Sequence, residues 1–293
     1  MTDTTHSPIP AQSARELCEL AVEAGARILE IYAKASVDAT AKADGSPVTA
    51  ADEAAEAVIL AGLSARFPAI PVVAEESVEA GHLPAVTDRY FLVDPLDGTK
   101  EFISRNGQFT VNIALIEAGV PVFGVVYAPA LGELYWGGAL ARDLGGAGER
   151  GAFRATVTDG VIGAPVAISV RRAPEAGLTV LASRSHLSPE TADFIDRFEV
   201  ADRVSVGSSL KLCWVATGQA DLYPRLSPTM QWDIAAGDAV LRAAGGLVLE
   251  AEGWTPRAYA VPAGATKQDL LNPHFVAVSS AGILKAAGIP VAA

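Results

Sequence analysis

Acidic residues stand where several apolar segments of the chain begin or end. One apolar run ends in Glu75 and another ends in Asp94, with Asp97 three residues further on, while Asp233 opens an apolar helical pattern. Acids at strand ends and helix starts can meet at one edge of a sheet, which is where ligands bind in α/β proteins. Converging carboxylates repel one another and resist burial, so they require cations. An all-oxygen set without His or Cys favours Mg²⁺ over zinc.

Each of these acids also has a purely structural interpretation. The sequence from Asp94 to Gly98 is a turn signal, because Asp-Gly favours hairpins and Pro fixes a turn backbone. Asp233 is placed to cap its helix and complement the helix dipole, and Glu75 with Glu76 could belong to a solvated loop. For any single acid the structural interpretation is favoured, but it does not explain why these acids occur together in this order.

The elements that must position the acids are helices and strands mixed along the chain. Thr49 begins a predicted helix that Pro68 ends, and Asp52 lies at capping-box distance from Thr49. In the first half we predict a helix over 13–34 and strands over 70–74, 90–93, 111–116, 122–127 and 133–136. In the second half we predict strands over 178–182, 220–223 and 247–250 and helices over 189–198, 209–219 and 233–244. This mixture indicates an α+β or α/β layered fold.

Domain organisation is predicted from where these patterns weaken. Residues 144–163 are Gly-rich and poorly patterned, which suggests a boundary there. We expect a flexible N-terminus over 1–10, an N-terminal half over 11–165 that carries most of the acids, and a C-terminal half over 166–293 that carries Asp233.

Composition restricts the class of protein. Half of the 293 residues are hydrophobic, so a packed globule is expected. The formal net charge of −12 opposes binding of a nucleic-acid polymer, but it allows a small anionic ligand if cations are supplied locally. Cys18 and Cys213 are too few for a disulfide framework, and neither a secretory signal nor a membrane span is visible. We therefore expect a cytoplasmic protein; peripheral attachment to the inner face of the membrane and the oligomeric state are left open.

Three motifs together resemble the inositol monophosphatase superfamily of Mg²⁺-dependent, lithium-sensitive phosphomonoesterases. They are Glu75-Glu76-Ser77, Asp94-Pro95-Leu96-Asp97-Gly98-Thr99 and Trp232-Asp233-Ile234-Ala235-Ala236-Gly237. The resemblance extends from residue 47 to residue 273. Inositol phosphatases typically continue the second motif with x-N-F, whereas this chain continues with Lys100-Glu101-Phe102. In this it is similar to the CysQ-type 3'(2'),5'-bisphosphate nucleotidases.

The resemblance implies a fold and a set of site residues. The fold would be a layered α-β-α-β-α sandwich, with the site between its two halves. Two or three Mg²⁺ ions would be held by Glu75, Asp94, the Leu96 carbonyl, Asp97 and Asp233. Asp52 and Thr99 would form a catalytic pair, with the Thr99 hydroxyl orienting the attacking water and Asp52 accepting its proton. The implied substrate contacts are Gly98, Thr99, His186, Ser209, Lys211 and Arg225, with Arg184 as a further candidate.

The implied activity is hydrolysis of the 3'-phosphate of adenosine 3',5'-bisphosphate to AMP, by metal-activated water and without a covalent phosphoenzyme. The related 3'-phosphoadenylyl sulfate is a second possible substrate, and the cellular role would lie in sulfate assimilation. The alternative within the superfamily is an inositol monophosphatase or related sugar phosphatase. A nucleotide- or metal-sensing module without turnover would require a broken acid set, and every acid of the motifs is present.

Overall fold

The structure, a computed structural model, describes residues 11–34, 39–41, 47–139, 150–182 and 188–291. The predicted flexible segment 1–10 lies outside these residues. The helices are α1 (Ala11–Tyr32), α2 (Ala50–Arg66), α3 (Glu75–Glu79), α4 (Thr99–Ile103), α5 (Pro189–Ile195), α6 (Leu210–Ala216), α7 (Gln231–Ala243) and α8 (Ala281–Ala286). The strands of the first half are β1 (Ala39–Ala41), β2 (Pro47–Thr49), β3 (Val72–Ala74), β4 (Arg89–Asp97), β5 (Thr110–Glu117), β6 (Val120–Ala128), β7 (Glu133–Ala139), β8 (Arg150–Thr158) and β9 (Val161–Ile162). The strands that follow are β10 (Val166–Ile168), β11 (Leu178–Leu181), β12 (Val200–Val204), β13 (Leu222–Arg225), β14 (Leu247–Glu250) and β15 (Phe275–Val278).

The larger sheet has the strand order β10-β8-β7-β6-β5-β4-β3, with β9 paired to β8. Its neighbouring strands are antiparallel except for β3 and β4, which run parallel with Ala74 opposite Val93. Parallel strands end at the same edge of a sheet. The residues that follow β3 and those at the end of β4 are therefore side by side, and they include Glu75 and Asp94.

The described helices and sheets alternate in α-β-α-β-α order, which confirms the predicted fold. Helices α1 and α2 cover one face of the larger sheet, and α7, with α6 beside it, covers the other. The second sheet, in the order β12-β11-β13-β15-β14, packs on the far side of these helices, and α5 and α8 lie on its outer face. Close packing of α7 requires glycine, because a Cβ on Gly124 of β6 would lie 2.3 Å from the Ala236 carbonyl oxygen. The glycine of the third motif has a similar role, since a Cβ on Gly237 would lie 2.6 Å from Leu212 of α6.

Most predicted elements are found within a few residues of their predicted bounds, but no strand was predicted in the region 144–163. Its described part contains β8 and β9. Strand β8 contains Gly151, Ala152 and Ala155, which have weak strand propensity, and it is stabilised by pairing with β7. Ala152 and Ala155 are buried on opposite faces of the sheet, and their small side chains give little of the apolar signal that the sequence prediction relied on. Strands β12 and β15 and helix α8 were also missed.

The division of the chain near residue 165 stays a prediction. Strand β10, just after that point, pairs with β8 of the larger sheet. Cys18 and Cys213 are both buried free thiols. None of the helices within the described residues combines the length and apolar character that a membrane crossing requires. The cytoplasmic location stays a prediction.

Candidate active site

The second motif forms a bulged strand rather than the predicted turn. Strand β4 pairs with β5 at Asp94, opposite Asn112, and again at Asp97, opposite Thr110, with a shift of register between them. The turn prediction is therefore wrong: Pro95 lies within the bulge, where the missing N–H of proline is tolerated. The chain leaves the strand at Gly98, whose φ of 94° is the left-handed conformation that favours glycine, and α4 begins at Thr99.

The bulge and the adjacent end of β3 bring the predicted acidic residues together. Asp94 and Glu75 lie close enough for a hydrogen bond between their side chains. Burial, followed by the negative charges of Glu75, Asp97 and Asp233, raises the pKa of Asp94 well above its ordinary value. Burial, with Asp97 and Glu75, likewise raises the pKa of Asp233. Four acids from β3–α3, β4 and α7 are thus placed where each opposes the ionisation of another.

This donor set fits a hard divalent cation. Two carboxyl groups within hydrogen-bonding distance must share a proton or have a cation between them. As they stand, no three His, Cys, Asp or Glu side chains in the described part of the chain converge closely enough to hold an ion. Such an arrangement is still compatible with Mg²⁺ binding, because Mg²⁺ keeps several waters and is commonly bound through one or two carboxylates together with substrate phosphate. Zinc in a closed protein site would need more converging side chains.

Asp52 and Thr99, which are 47 residues apart, are in contact at the edge of this cluster. The Thr99 hydroxyl donates a hydrogen bond to Asp52 Oδ1 at 3.1 Å. The other oxygen of Asp52 accepts from the Thr49 amide at 2.8 Å and from the Thr49 hydroxyl at 2.7 Å, so the predicted capping box is present. One oxygen of Asp52 therefore fixes the carboxylate to the start of α2, and the other is directed to Thr99.

Asp233, like Asp52, both caps a helix and lies at the candidate site. It is the third residue of α7, and its Oδ2 accepts from the Met230 amide at 2.8 Å, as the capping interpretation predicted. Asp233 also lines a small cavity, together with Asp97 and Gly98. The structural and functional interpretations of the acids are therefore compatible at both helix starts.

Glu56 is a candidate site residue that the sequence interpretation missed. It is 5% exposed and lies one helical turn after Asp52 on the buried side of α2. Its carboxylate accepts from the Glu76 amide at 2.8 Å and from the Ser77 hydroxyl at 2.6 Å. These bonds hold the backbone next to Glu75. The available signal was a second acid four residues after Asp52, on a helix face that is otherwise apolar.

We expect Glu56→Gln to weaken the binding of a divalent cation to the acidic cluster by about tenfold, because residues that orient metal ligands typically affect affinity by about 10–100-fold. A Mg²⁺ titration of activity measures this. Glu53→Gln, on the exposed side of the same helix, is the matched control and should leave the titration unchanged. Equal midpoints for the Glu56 variant and the parent would contradict the assignment.

Some predicted substrate contacts are placed around the cavity, which has a volume of about 130 Å³. Gly98, Ser209, Lys211 and Arg225 line it, as does Glu101. Of the Lys100-Glu101-Phe102 segment, Lys100 is exposed and Phe102 is fully buried, so Glu101 is the member that faces the cavity. Arg184 and His186 lie outside the described residues.

Lys211 and Arg225, the basic side chains that line the cavity, already donate hydrogen bonds to backbone carbonyls. Lys211 is 8% exposed, and its ammonium donates to the carbonyls of Val206 at 3.2 Å and Ser208 at 2.7 Å. Burial, only partly offset by Asp97, lowers the pKa of Lys211 to about 8. The Arg225 guanidinium donates to the carbonyls of Ser227 at 3.3 Å and Pro228 at 3.0 Å. Both side chains retain further N–H donors, since an ammonium has three and a guanidinium five.

Comparison with known proteins identifies the family. The sequence model of the inositol monophosphatase family matches residues 11–284. The 3'(2'),5'-bisphosphate nucleotidase CysQ of Salmonella typhimurium is 44% identical over 265 residues, which are 89% of this chain and 97% of that protein. The protein of the same name from Buchnera aphidicola is 39% identical over 241 residues, 82% of this chain and 84% of its own length.

A solved structure agrees with the sequence relatives. The crystal structure of CysQ from Bacteroides thetaiotaomicron, described as a bacterial member of the inositol monophosphatase family, matches with a TM-score of 0.72 and 38% identity. The match covers 92% of this chain and 98% of that one. The chain therefore belongs to the inositol monophosphatase family.

Proposed function

We propose that this chain is a Mg²⁺-dependent 3'(2'),5'-bisphosphate nucleotidase that converts adenosine 3',5'-bisphosphate and water to AMP and phosphate. The observation that carries the proposal is the four-acid cluster with the Asp52–Thr99 contact at its edge. The relatives named as 3'(2'),5'-bisphosphate nucleotidases extend over most of the chain and support this substrate. In the cell the reaction would remove the bisphosphate by-product of sulfate assimilation.

Glu75, Asp94, Asp97, Asp233 and the Leu96 carbonyl would hold the ions. When bound, Mg²⁺ supplies the positive charge that the phosphoryl oxygens, the attacking water and the departing 3'-oxygen require. The chain's own contribution is to keep these oxygen ligands in place in a partly buried site, where electrostatic interactions are strong. The Leu96 amide donates to Asp94 Oδ1 at 3.0 Å, which fixes the orientation of that carboxylate within the bulge.

Asp52 and Thr99 supply the proton path. The Thr99 hydroxyl, already bonded to Asp52 Oδ1, would accept a hydrogen bond from the attacking water while giving its own proton to Asp52. Water then forms the new P–O bond, the P–O3' bond breaks, and the 3'-oxygen leaves and takes up a proton from solvent. The phosphoryl group passes directly to water, so no residue of the chain becomes phosphorylated.

Cavity residues would bind the part of the substrate that is not cleaved. The backbone amides of Gly98 and Thr99 would lie beside the 3'-phosphate, since successive backbone N–H groups around a left-handed residue such as Gly98 can bind an anion. Lys211 and Arg225 would contact the 5'-phosphate with the donors that the loop carbonyls leave available. Ser209 and the segment that contains His186 complete the predicted set of contacts.

The lowered pKa of Lys211 predicts a pH dependence of substrate binding. A lysine with the ordinary pKa of 10.5 stays charged well above neutrality, but at about 8 Lys211 loses its proton in mildly alkaline solution. We expect KM for adenosine 3',5'-bisphosphate to increase as the pH rises through about 8. Lys211→Arg should remove this increase, because a guanidinium stays charged. The same pH profile in the arginine variant would assign the titration to another group.

Product analysis tests the proposal. Incubation of adenosine 3',5'-bisphosphate with the protein and Mg²⁺ should give AMP and phosphate in equal amounts, and excess EDTA should stop the reaction. Adenosine 3'-phosphate as the product would mean that the wrong ester is cleaved. A ³²P-labelled protein trapped during turnover would contradict direct transfer to water.

A further inference from the structure

Two serine hydroxyls from the second half of the chain converge on Asp97. Ser208 Oγ donates to Asp97 Oδ2 at 2.6 Å, and Ser209 Oγ lies within hydrogen-bonding distance of the same oxygen, at 3.0 Å. Both serines belong to the segment 206–209, which lies between β12 and α6 and which we call the serine loop. Asp97 lies on β4 of the larger sheet, so these bonds connect the two halves at the acidic cluster.

The direction of each hydrogen bond follows from the donors available. A carboxylate can only accept, so the single hydroxyl proton of Ser208 points to Asp97. The Thr110 hydroxyl has two acceptors within reach, Ser208 Oγ at 2.5 Å and Asn112 Oδ1 at 3.1 Å. Because Ser208 has no second proton to give, we assign the single Thr110 proton to the shorter contact, with Ser208. Asn112 Nδ2 donates to Ser209 Oγ at 2.9 Å, which leaves the Ser209 proton for Asp97 or for the Asp233 carbonyl at 2.5 Å. Thr110 and Asn112 are both fully buried on β5.

The serine loop is held in a conformation that brings these hydroxyls forward. Ser208 has a φ of 55°, which is uncommon for a residue other than glycine and is maintained only when surrounding contacts enforce it. The Lys211 ammonium holds the Ser208 carbonyl from inside the loop. Gly207 allows the loop to dock, since a Cβ there would lie 2.6 Å from the Gln108 carbonyl oxygen. The Gly207 amide also donates to Gln108 Oε1 at 3.0 Å.

We propose that Ser208 is a positioning residue: through the Thr110–Ser208–Asp97 chain it fixes the direction in which Asp97 presents its carboxylate to a divalent cation. The inference depends on the metal role proposed for Asp97. The Thr110 and Asn112 side chains orient the two serines, so β5 acts on the metal ligand of β4 through a loop from the other half of the chain.

The test separates metal binding from folding. Ser208→Ala removes the hydroxyl and keeps the Cβ, whereas Ser208→Gly removes the hydroxyl and suits the positive φ. Thr110→Val removes the donor to Ser208 at nearly constant volume, and Thr110→Ser restores it. Ser279→Ala is the control, because Ser279 is buried and its hydroxyl has no hydrogen-bond partner in the described structure. For each protein, the melting temperature is measured against Mg²⁺ concentration without substrate, and KM is measured at saturating Mg²⁺.

Both Ser208 variants should need about tenfold more Mg²⁺ for half of the thermal stabilisation, with KM for adenosine 3',5'-bisphosphate changed by less than about twofold. Thr110→Val should likewise raise the Mg²⁺ concentration at the midpoint of the thermal stabilisation curve. Thr110→Ser and Ser279→Ala should leave this midpoint unchanged. Unchanged midpoints in folded Ser208 variants would overturn the inference, as would a raised KM with an unchanged midpoint, which would make Ser208 a substrate contact. If Mg²⁺ does not stabilise the parent protein, the proposed metal role of Asp97 is itself wrong. An unchanged midpoint or a raised KM in the Ser208 variants would contradict only the role of Ser208.

Discussion

Asp94→Asn should abolish phosphate release and, without metal, raise the melting temperature of the protein. The first effect follows from the metal role proposed for Asp94, and we expect a decrease in kcat of about 1,000-fold or more. The second follows from the pKa of Asp94, which burial and three neighbouring acids raise in the folded state. An asparagine at position 94 removes one of the charges that repel each other, so the free energy of unfolding increases. Each kcal/mol of that increase raises the melting temperature by about 2–4 °C in a chain of this size.

The pH dependence of this stabilisation has a definite sign. A carboxyl group with a raised folded-state pKa favours folding while it is protonated. That contribution is lost as the pH rises from the unfolded value of 3.8 through the raised value. The melting temperature of Asp94→Asn should therefore exceed that of the metal-free parent more at pH 7.5 than at pH 5. Saturating Mg²⁺ should reverse the order, because it stabilises the parent and not the variant.

Asp238→Asn is the matched control for this prediction. Asp238 is also a buried aspartate with a raised pKa, but its carboxylate is paired with Arg242 at 2.7 Å and accepts from the Tyr259 hydroxyl at 2.9 Å. Breaking one side of a buried pair typically costs about 3–5 kcal/mol. We expect this variant to be less stable with and without Mg²⁺. A decrease in stability for metal-free Asp94→Asn would contradict the view that its cluster requires a cation.

Asp52→Asn and Thr99→Val should each reduce kcat by about 100- to 10,000-fold, the usual contribution of a positioned proton acceptor. The double variant should be no slower than the slower single variant, because the two side chains act through one hydrogen bond at 3.1 Å. The measurement is a double-mutant cycle on kcat at saturating Mg²⁺.

Thr49→Ala controls for the capping role of Asp52. It removes the hydroxyl that binds Asp52 Oδ2, but leaves the contact between Oδ1 and Thr99. Loss of a helix cap costs about 1 kcal/mol, so this variant should be less stable and lose much less activity than the other two. Multiplicative effects of Asp52→Asn and Thr99→Val would show that the residues act independently and would exclude the shared proton path.

The convergence of Glu75 and Asp94 was predictable because their positions are local, whereas their role as metal ligands came from the family resemblance and stays a proposal. Glu75 and Asp94 follow apolar runs, and parallel pairing of β3 with β4 is sufficient to bring them together. Asp52 was predictable as a cap from its spacing to Thr49, but its contact with Thr99 came from the family resemblance. The bulge in β4 was not predictable from the Asp-Pro and Asp-Gly pairs, because these pairs are local turn signals. Here hydrogen bonding to β5 on both sides of Pro95 keeps the segment in the sheet.

The residues that hold the acidic side chains in place could not be inferred from spacing. The Ser208 hydroxyl reaches a carboxylate 111 residues earlier, through a loop whose conformation depends on Lys211 and Gly207. Ser209 and Lys211 were expected to contact substrate, whereas their resolved hydrogen bonds go to Asp97, to Asp233 and to the serine loop. These bonds do not test the proposed substrate contacts. They give both residues a structural role in addition.

The most direct measurement of the central claim is the ratio of kcat/KM for adenosine 3',5'-bisphosphate to kcat/KM for inositol 1-phosphate, determined at saturating Mg²⁺. A bisphosphate nucleotidase with Lys211 and Arg225 around its cavity should favour the nucleotide by about 100-fold or more, equivalent to about 2.7 kcal/mol of transition-state stabilisation. Lys211→Met should reduce this ratio while leaving kcat/KM for the inositol ester nearly unchanged. A ratio at or below one, or hydrolysis of neither ester, would contradict the proposed function.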